Sequence, residues 1–410
     1  MNVLVFNSGS SSQKSCLYEI GDTLPDHPPA SVWEGKIEWA NDNDQAQYSI
    51  KTSRGVSRKY VTSGGSRRED IEGLLQGLWS GDAHAISGPS EINVVGHRVV
   101  HGGPQHFESA MVTAEVKAAI EGVSAFAPLH NHAELEGMEI AAKLLGPVPQ
   151  IAVFDTGFHR TMPLSAATYA GPYEWFEQGI RRYGFHGINH QYCAQRAAHL
   201  LGKNLNSLKL VTCHLGNGCS LAAIREGRSV DTTMGFTPLE GLMMGTRSGS
   251  VDPGILTYLI RQRQFSGQQL DEVLNQKSGL LGVSGISSDM RQILAASKSG
   301  QQRATLAFDM YVHRLRQGIG AMIAVLGGVD ALVFTAGVGE NSSEVRAAVC
   351  DNFAFLGLRL DPGENAPSPS DNDVDIDISA LDSTVRVLVI HAQEDWMIAR
   401  ECWNLVKRIL

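Results

Sequence analysis

Short, wholly apolar runs alternate along this chain with longer segments whose apolar residues recur every three or four positions. The runs fall at residues 3–6, 94–100, 151–154, 208–212, 331–335 and 385–390, rich in Val, Ile, Leu and Phe. They are too short for helices and apolar at nearly every position, which predicts buried strands. Residues 131–145 predict a helix, with Asn131 as N-cap, Glu134 three residues on, and Leu135, Met138, Ala142 and Leu145 on one face. Gly146-Pro147 stops it. A longer helix is expected from about 303 to 326, where Ala307, Tyr311, Leu315, Ile319, Met322 and Leu326 form one stripe. Strands alternating with helices predict an α/β fold.

Two stretches break the pattern. Residues 21–90 are polar and irregular, with 22–29 reading as loop. Residues 361–384 hold Pro362, Pro367, Pro369 and several aspartates. Both read as surface excursions with little part in catalysis. An internal echo stands out. The chain opens with an apolar run, Asn7-Ser8-Gly9-Ser10-Ser11-Ser12, and a second run. Near its middle it repeats the plan around His214-Leu215-Gly216-Asn217-Gly218-Cys219-Ser220. Strand, small-residue turn, strand, twice over, suggests a duplicated unit whose two turns face each other across a cleft.

Length and composition narrow the options. With 410 residues the prior is two or three domains. The net charge is −9 and no basic run exceeds two residues, as at Arg67-Arg68, so nucleic acid is not an expected partner. Six cysteines are scattered without a CxxC pair, which points to buried thiols in a reducing, cytoplasmic compartment. Met1 to Phe6 reads as a strand and not a signal peptide. The apolar stretch 321–338 is broken by Gly327-Gly328 and carries Asp330, so helix, stop and strand explain it better than a membrane span.

Several segments carry candidate chemistry. The two small-residue turns, with Lys14 beside the first, offer N–H and O–H donors to an anion; each also reads as a plain hairpin turn. The segment Thr335-Ala336-Gly337-Val338-Gly339-Glu340-Asn341 joins a strand to a helix start, a setting suited to phosphate or to an ordinary turn. Neither GxxxxGK[ST] nor a strand-following GxGxxG occurs, against P-loop kinases and Rossmann dehydrogenases. Arg98 ends an apolar strand, where a guanidinium needs an anion: a carboxylate bridge or a ligand. Arg247 lies in a Gly- and Ser-rich loop and could join Arg98 in gripping a carboxylate or phosphoryl group. Asp155 follows a strand, at the end where α/β sheets bind ligands. His186 and His130 sit among apolar residues and read equally as packed core histidines. A metal-hydrolase reading through His130, Asp155, His159 and His186 lacks HExxH or any tight zinc pair, and no GxSxG elbow marks a serine nucleophile.

Taken together and in order, these segments resemble the acetokinase family of acetate kinases. The resemblance rests on Asn7-Ser8-Gly9-Ser10-Ser11-Ser12, His97-Arg98-Val99-Val100-His101-Gly102-Gly103, Pro128-Leu129-His130-Asn131, and Phe154-Asp155-Thr156-Gly157-Phe158-His159. It continues in Arg182-Tyr183-Gly184-Phe185-His186-Gly187, His214-Leu215-Gly216-Asn217-Gly218, and Gly235-Phe236-Thr237-Pro238-Leu239-Glu240-Gly241-Leu242. It ends in Gly245-Thr246-Arg247-Ser248-Gly249, Ser287-Ser288-Asp289-Met290-Arg291 and the stretch from Thr335 to Asn341. The resemblance implies a two-domain actin-like ATPase (ribonuclease H-like) fold, and an enzyme that reversibly converts acetate and ATP to acetyl phosphate and ADP. Mg²⁺, with Mn²⁺ as a substitute, cytoplasmic location, homodimerisation and a place in acetyl-CoA formation come with it.

By the same resemblance Arg98 and Arg247 hold the substrate carboxylate and the moving phosphoryl group, His186 stabilises the transition state, and Asp155 orients the reactants. Val100, Leu129, Phe185 and Pro238 match the pocket for the acetate methyl. Lys14, His214, Gly216, Asn217, Gly218, Asp289, Arg291, Gly337, Val338, Gly339 and Asn341 match the ATP site. Asn7 and Glu394 match the metal-positioning residues, with Asp395 the second choice. Gly157 stands where the family usually has Ala, and the C-terminal acids appear as Gln393-Glu394-Asp395. The chemistry is self-consistent. A carboxylate is ionised at neutral pH and needs no general base, so the task is to neutralise and align two anions. Mg²⁺ held mainly by phosphates and water leaves no dedicated cage in a sequence. The division expected is 1–154 plus 395–410 and 155–394, the second a nucleotide-binding and dimerisation domain, closing on nucleotide. Two rivals stand beside this reading: a propionate kinase with a larger pocket, and a non-kinase ATPase of the same fold, which has no need of a substrate-carboxylate clamp.

Overall fold

In the computed structural model the described residues are 1–9, 12–39, 45–63, 65–124, 128–366 and 375–409. Ser10, Ser11, Pro367 and Pro369, and the side chains of Leu129 and His130, lie outside the described residues. The chain divides into two compact units, Met1–Gly157 with Gln393–Leu410, and Phe158–Ala392. Asp155 and Glu394 therefore both belong to the first unit.

The first unit is built on β1 (Asn2–Ser8), β2 (Ser12–Glu19), β3 (Trp33–Trp39), β4 (Gln45–Thr52), β5 (Ser57–Ser63), β6 (Val94–Val99), β7 (Ala110–Met111) and β8 (Gln150–Phe154). They form one sheet in the order β5-β4-β3-β2-β1-β6-β8-β7, with β1, β6 and β8 parallel. The second unit holds β9 (Lys209–Leu215), β10 (Cys219–Arg225), β11 (Arg228–Thr232), β12 (Ala331–Thr335), β13 (Ile376–Asp377) and β14 (Arg386–Val389). Their order is β11-β10-β9-β12-β14-β13, with β9, β12 and β14 parallel. The six strands of the second sheet match six of the first, β3-β2-β1-β6-β8-β7, with β4 and β5 added beyond β3. In each, an antiparallel hairpin (β1-β2, β9-β10) gains an outer antiparallel strand (β3, β11). Its first strand continues into two parallel neighbours and a short antiparallel edge (β7, β13). This is the duplication that the two similar turns foreshadow.

The central strands are apolar because helices cover both faces. Leu4, Phe6 and Val95 pack with Ile140 and Leu145 of the helix Pro128–Leu145. Gly96 faces the other way, toward the helix Glu394–Ile409. A Cβ there would stand 2.5 Å from Cys402 Sγ and 2.7 Å from Ile398 Cγ2. The missing side chain thus lets that helix, with Glu394 and Asp395 in its first turn, close onto β6. In the second unit Gln302–Leu326 carries the expected buried stripe and ends at Gly327, left-handed at φ 63°, before β12 begins at Ala331. No helix among the described residues is long and apolar enough to cross a membrane.

Two expectations need correction. Residues 21–90 are not a surface excursion: they supply β3, β4, β5 and the helix Arg67–Gln76, and Trp33, Ile37, Ile50, Ile71, Leu74 and Leu75 join the core. Trp39 Nε1 and Tyr48 Oη both donate to the buried Asp70 carboxylate, at 2.7 and 2.8 Å. Asn131 is not an N-cap, because the helix begins at Pro128. Asn131 is buried inside it and donates to the carbonyls of His101 (3.3 Å) and Ile120 (3.1 Å). Glu134 accepts the Val100 N–H at 3.1 Å. The first turns of this helix are polar where they hold the backbone beyond the end of β6, while Met138 further along packs with Val99.

His97 on β6 is fully buried, and burial pulls its pKa down to about 4. Gln150 serves it best with its amide nitrogen 2.7 Å from Nε2, leaving that nitrogen an acceptor. The folded state therefore refuses a proton that the unfolded chain binds below about pH 6.5. Stability contributed here is lost as pH falls from about 6.5 toward 4. Between pH 7.5 and 5, His97→Gln should lose about 2 kcal/mol less unfolding free energy than the unmodified chain, measured by urea titration. Parallel losses in both would contradict this.

Candidate active site

In the first unit the polar residues gather at the C-terminal ends of the parallel strands, where α/β sheets place ligands. Arg98, near the end of β6, donates from Nη2 to Asp155 Oδ2 at 2.8 Å, and its Nε lies 3.9 Å from Glu394 Oε2. Asp155 directly follows β8 and is wholly buried. Burial alone pulls the Arg98 pKa down; Asp155, Glu394 and Glu134 outweigh it and raise the net value, so the guanidinium stays charged. Burial pushes Glu394 up to about 7, against the pull of Arg98, with Asp155 and Asp395 adding to the rise. Glu134 is pushed up to about 8, again by burial first, with Arg98 and the Val100 N–H opposing.

Asp395 is engaged differently. Lys14 Nζ lies 2.8 Å from its Oδ2, Asn7 Nδ2 donates to its Oδ1 at 3.3 Å, and Cys16 Sγ stands 3.7 Å away. Lys14, expected to bind ATP, is committed to Asp395, with Glu34 at 3.7 Å. Of the two acids weighed as metal-positioning, Asp395 has a lysine partner and Glu394 faces Arg98. Val100 is buried one residue beyond β6, so its placement depends on the Glu134 bond and not on strand alternation. Among the described residues no three His, Cys, Asp or Glu side chains converge as metal ligands.

In the second unit the sites form around the turn between β9 and β10. His186 has left-handed backbone, φ 56°, immediately before the helix Gly187–Leu200, an uncommon conformation for a side chain of that size. Its ring stacks on His214 with centroids 3.9 Å apart, and its Nδ1 lies 2.8 Å from Ser220 Oγ. Arg247 reaches the same place. A Cβ on Gly218 would stand 3.1 Å from Arg247 Nη2 and 3.4 Å from His186 Nε2, so both groups border the turn that only a glycine leaves open. Arg247 Nη1 donates to the Pro238 carbonyl at 2.6 Å, and burial lowers its pKa. Among the described residues no carboxylate pairs with it. Gly245 leaves room for the Asn217 amide, since a Cβ there would stand 2.1 Å from Asn217 Oδ1. Phe185 is buried, and its carbonyl lies 3.0 Å from His159 Nε2. His159 is thus a core histidine.

A cavity of about 860 Å³ opens beside the turn. Of the residues expected to bind ATP, it brings together Gly216, Asn217, Asp289, Arg291, Gly337, Val338 and Asn341. Asp289 caps the helix Met290–Lys298 and pairs with Arg291, Nη2 to Oδ2 at 2.6 Å. The second wall, Leu294, Ala295 and Lys298 of that helix, escaped the sequence reading. The only signal was apolar residues off the buried Met290–Ile293 face. Gly339 lies behind the cavity wall, its absent Cβ 3.4 Å from the Phe334 backbone, so it serves packing.

The acetokinase family profile matches residues 2–400. The chain belongs to the acetokinase family. A curated acetate kinase from Nostoc sp. is 59% identical over 409 residues, covering 100% of both chains. The crystal structure of Porphyromonas gingivalis acetate kinase matches with a TM-score of 0.89 at 40% identity, covering 99% of each chain. A propionate kinase from Francisella tularensis matches at 0.88 and 35%, covering 98% of this chain and 99% of that one. As a member of the acetokinase family the chain has the mixed α/β fold of the actin-like ATPase type, and ATP/ADP is its co-substrate.

Proposed function

We infer that this chain phosphorylates acetate with ATP, reversibly giving acetyl phosphate and ADP. One observation carries the phosphoryl-binding side: a largely buried guanidinium, Arg247, with no carboxylate partner among the described residues, beside the 216–218 turn and the His186 ring. Such a cation is costly unless an anion arrives. Arg247, His186 and Asn217 act on the transferring group, and the large cavity takes the nucleotide. An acetate oxygen attacks the γ-phosphorus as the bond to the β-phosphate oxygen breaks; the electron pair leaves with ADP. No proton need move, because the nucleophile is already a carboxylate. Arg98 holds that carboxylate, oriented by Asp155. Hydroxamate detection of acyl phosphate with acetate, propionate and butyrate tests the reading, with acetate turned over best.

Divalent metal fits the first unit. Asp155, Glu394, Glu134 and Asp395 outnumber Arg98 and Lys14, and burial, with Asp155 and Asp395 adding to it, pushes Glu394 up to about 7. Glu394 and Asp155, with Asn7, would hold Mg²⁺ through water. Bound there, the ion would neutralise phosphate charge. The unpaired face of the helix Pro253–Arg263 supports a homodimer: it buries no residue, and Ile255, Tyr258 and Ile260 are about half exposed. Ile255→Glu/Tyr258→Glu should halve the sedimentation mass; an unchanged mass removes this face from the interface. Six free, buried cysteines support a reducing, cytoplasmic setting.

Val100, buried just beyond β6 and held by Glu134, gates the acyl chain. An added methylene crowds Val100 by ~1–3 kcal/mol. Val100→Ala should raise kcat/KM for propionate relative to acetate about tenfold. An unchanged ratio places the gate elsewhere.

A further inference from the structure

Behind His186 lies a chain of buried polar groups that the reaction scheme does not use. His186 Nδ1 is 2.8 Å from Ser220 Oγ, Ser220 Oγ is 2.8 Å from His190 Nε2, and His190 Nδ1 is 2.7 Å from Thr212 Oγ1. Ser220, His190 and Thr212 are wholly buried. We infer that Ser220 is a positioning residue, whose hydroxyl donates to His186 Nδ1 and so holds that ring's proton on Nε2, facing the 216–218 turn.

The argument is a proton count. Burial holds His190 well below its usual pKa, so its ring carries one proton for two hydrogen-bonded nitrogens. Ser220 has one hydroxyl proton between two rings, so it donates to one and accepts from the other. The chain then runs in one of two directions. If it runs inward, His186 donates to Ser220, Ser220 to His190 and His190 to Thr212. The Thr212 hydroxyl proton is then left, fully buried, with no further acceptor among the described residues. If it runs outward, Thr212 donates to His190, His190 to Ser220 and Ser220 to His186, and every proton is used. Burying an unmade donor is the costlier error, so the outward direction prevails.

The neighbouring ring obeys the same rule. Asn189 Nδ2 stands 2.8 Å from His214 Nδ1, and an amide nitrogen can only donate, so His214 also keeps its proton on Nε2. Cys193 Sγ, 3.7 Å from Asn189 Oδ1, agrees with that amide orientation. The two rings are nearly parallel, at 13°, and each accepts from a buried donor at Nδ1. His186 therefore acts as a neutral donor whose direction is set from behind, ready for a phosphoryl oxygen without protonation of the ring.

The inference rests on the phosphoryl-binding role of His186, and the test separates the two. In the full chain labelled with ¹⁵N-histidine, long-range ¹H–¹⁵N spectra should show the His186 proton on Nε2, its signal identified by its loss in His186→Ala. A proton on Nδ1 overturns the inference without reference to activity or to any variant's folding. Ser220→Ala should release the tautomer and cut kcat about 10–100-fold, with KM for ATP and acetate within twofold. Ser220→Thr, which keeps the hydroxyl, should recover most of it. His186→Ala/Ser220→Ala should turn over no more slowly than His186→Ala, whereas a merely structural serine would add its own loss. Unchanged kcat in folded Ser220→Ala overturns the inference. Full turnover in His186→Ala would instead sink the role of His186, leaving the spectrum to judge the tautomer.

Discussion

Arg247→Ala should lower kcat by about a thousandfold or more and leave the fold standing. The guanidinium borders the open turn at Gly218 and, among the described residues, donates only to the Pro238 carbonyl. Charge-assisted bonds to a transferring phosphoryl group contribute ~1.5–3 kcal/mol each, and an Arg fork makes two. Because no carboxylate pairs with it among the described residues, truncation leaves no buried charge unmatched, and the melting temperature should move little. Arg98→Ala should behave differently. It too should abolish turnover, but it strips Asp155 and Glu394 of their cation, and breaking a buried pair costs about 3–5 kcal/mol. Steady-state rates beside thermal melts separate the cases. Arg247→Ala with kcat within tenfold of normal would remove it from the mechanism, and Arg98→Ala with an unchanged melt would deny the pairing.

His186→Ala should lower kcat about 100–1,000-fold, the loss typical of one donor aimed at developing charge, while KM for either substrate shifts only a few-fold. The ring is held on three sides: the left-handed backbone at φ 56°, the stack on His214 at 3.9 Å, and Ser220 on Nδ1. A residue kept in that conformation costs about 1–3 kcal/mol, so the backbone is arranged for the ring and not for stability. His186→Gly should therefore be more stable than His186→Ala yet equally slow. A change confined to KM would contradict a transition-state role.

Much of this was legible beforehand because it depends on local pattern. Apolar runs announced the six central strands, and two similar turns announced the duplication that the matching strand orders bear out. The edge of the first sheet was missed although a signal existed. Residues 45–52 alternate exposed and buried as Gln-Ala-Gln-Tyr-Ser-Ile-Lys-Thr. An amphipathic strand with one solvated face needs only three apolar positions, so its composition reads as loop. Asn131 and Glu134 have capping-box spacing and cap nothing, because the helix starts earlier and turns both side chains onto the backbone of Val100 and His101.

The sequence by itself determined the fold class, the family and the residue types that neutralise two anions, since strand periodicity and ten ordered motifs are properties of the linear chain. Only the tertiary structure decided what each polar group is committed to. Lys14 and Asp395 pair, Glu394 faces Arg98, and Arg247 has no carboxylate partner among the described residues. Ser220 and Asn189 are unremarkable letters in the chain; they matter because β10 and the helix Gly187–Leu200 bring them to the Nδ1 atoms of two stacked rings. Hydrogen bonds and ion pairs act over a few ångströms, and distances of that order between residues far apart in sequence exist only once the strands have paired.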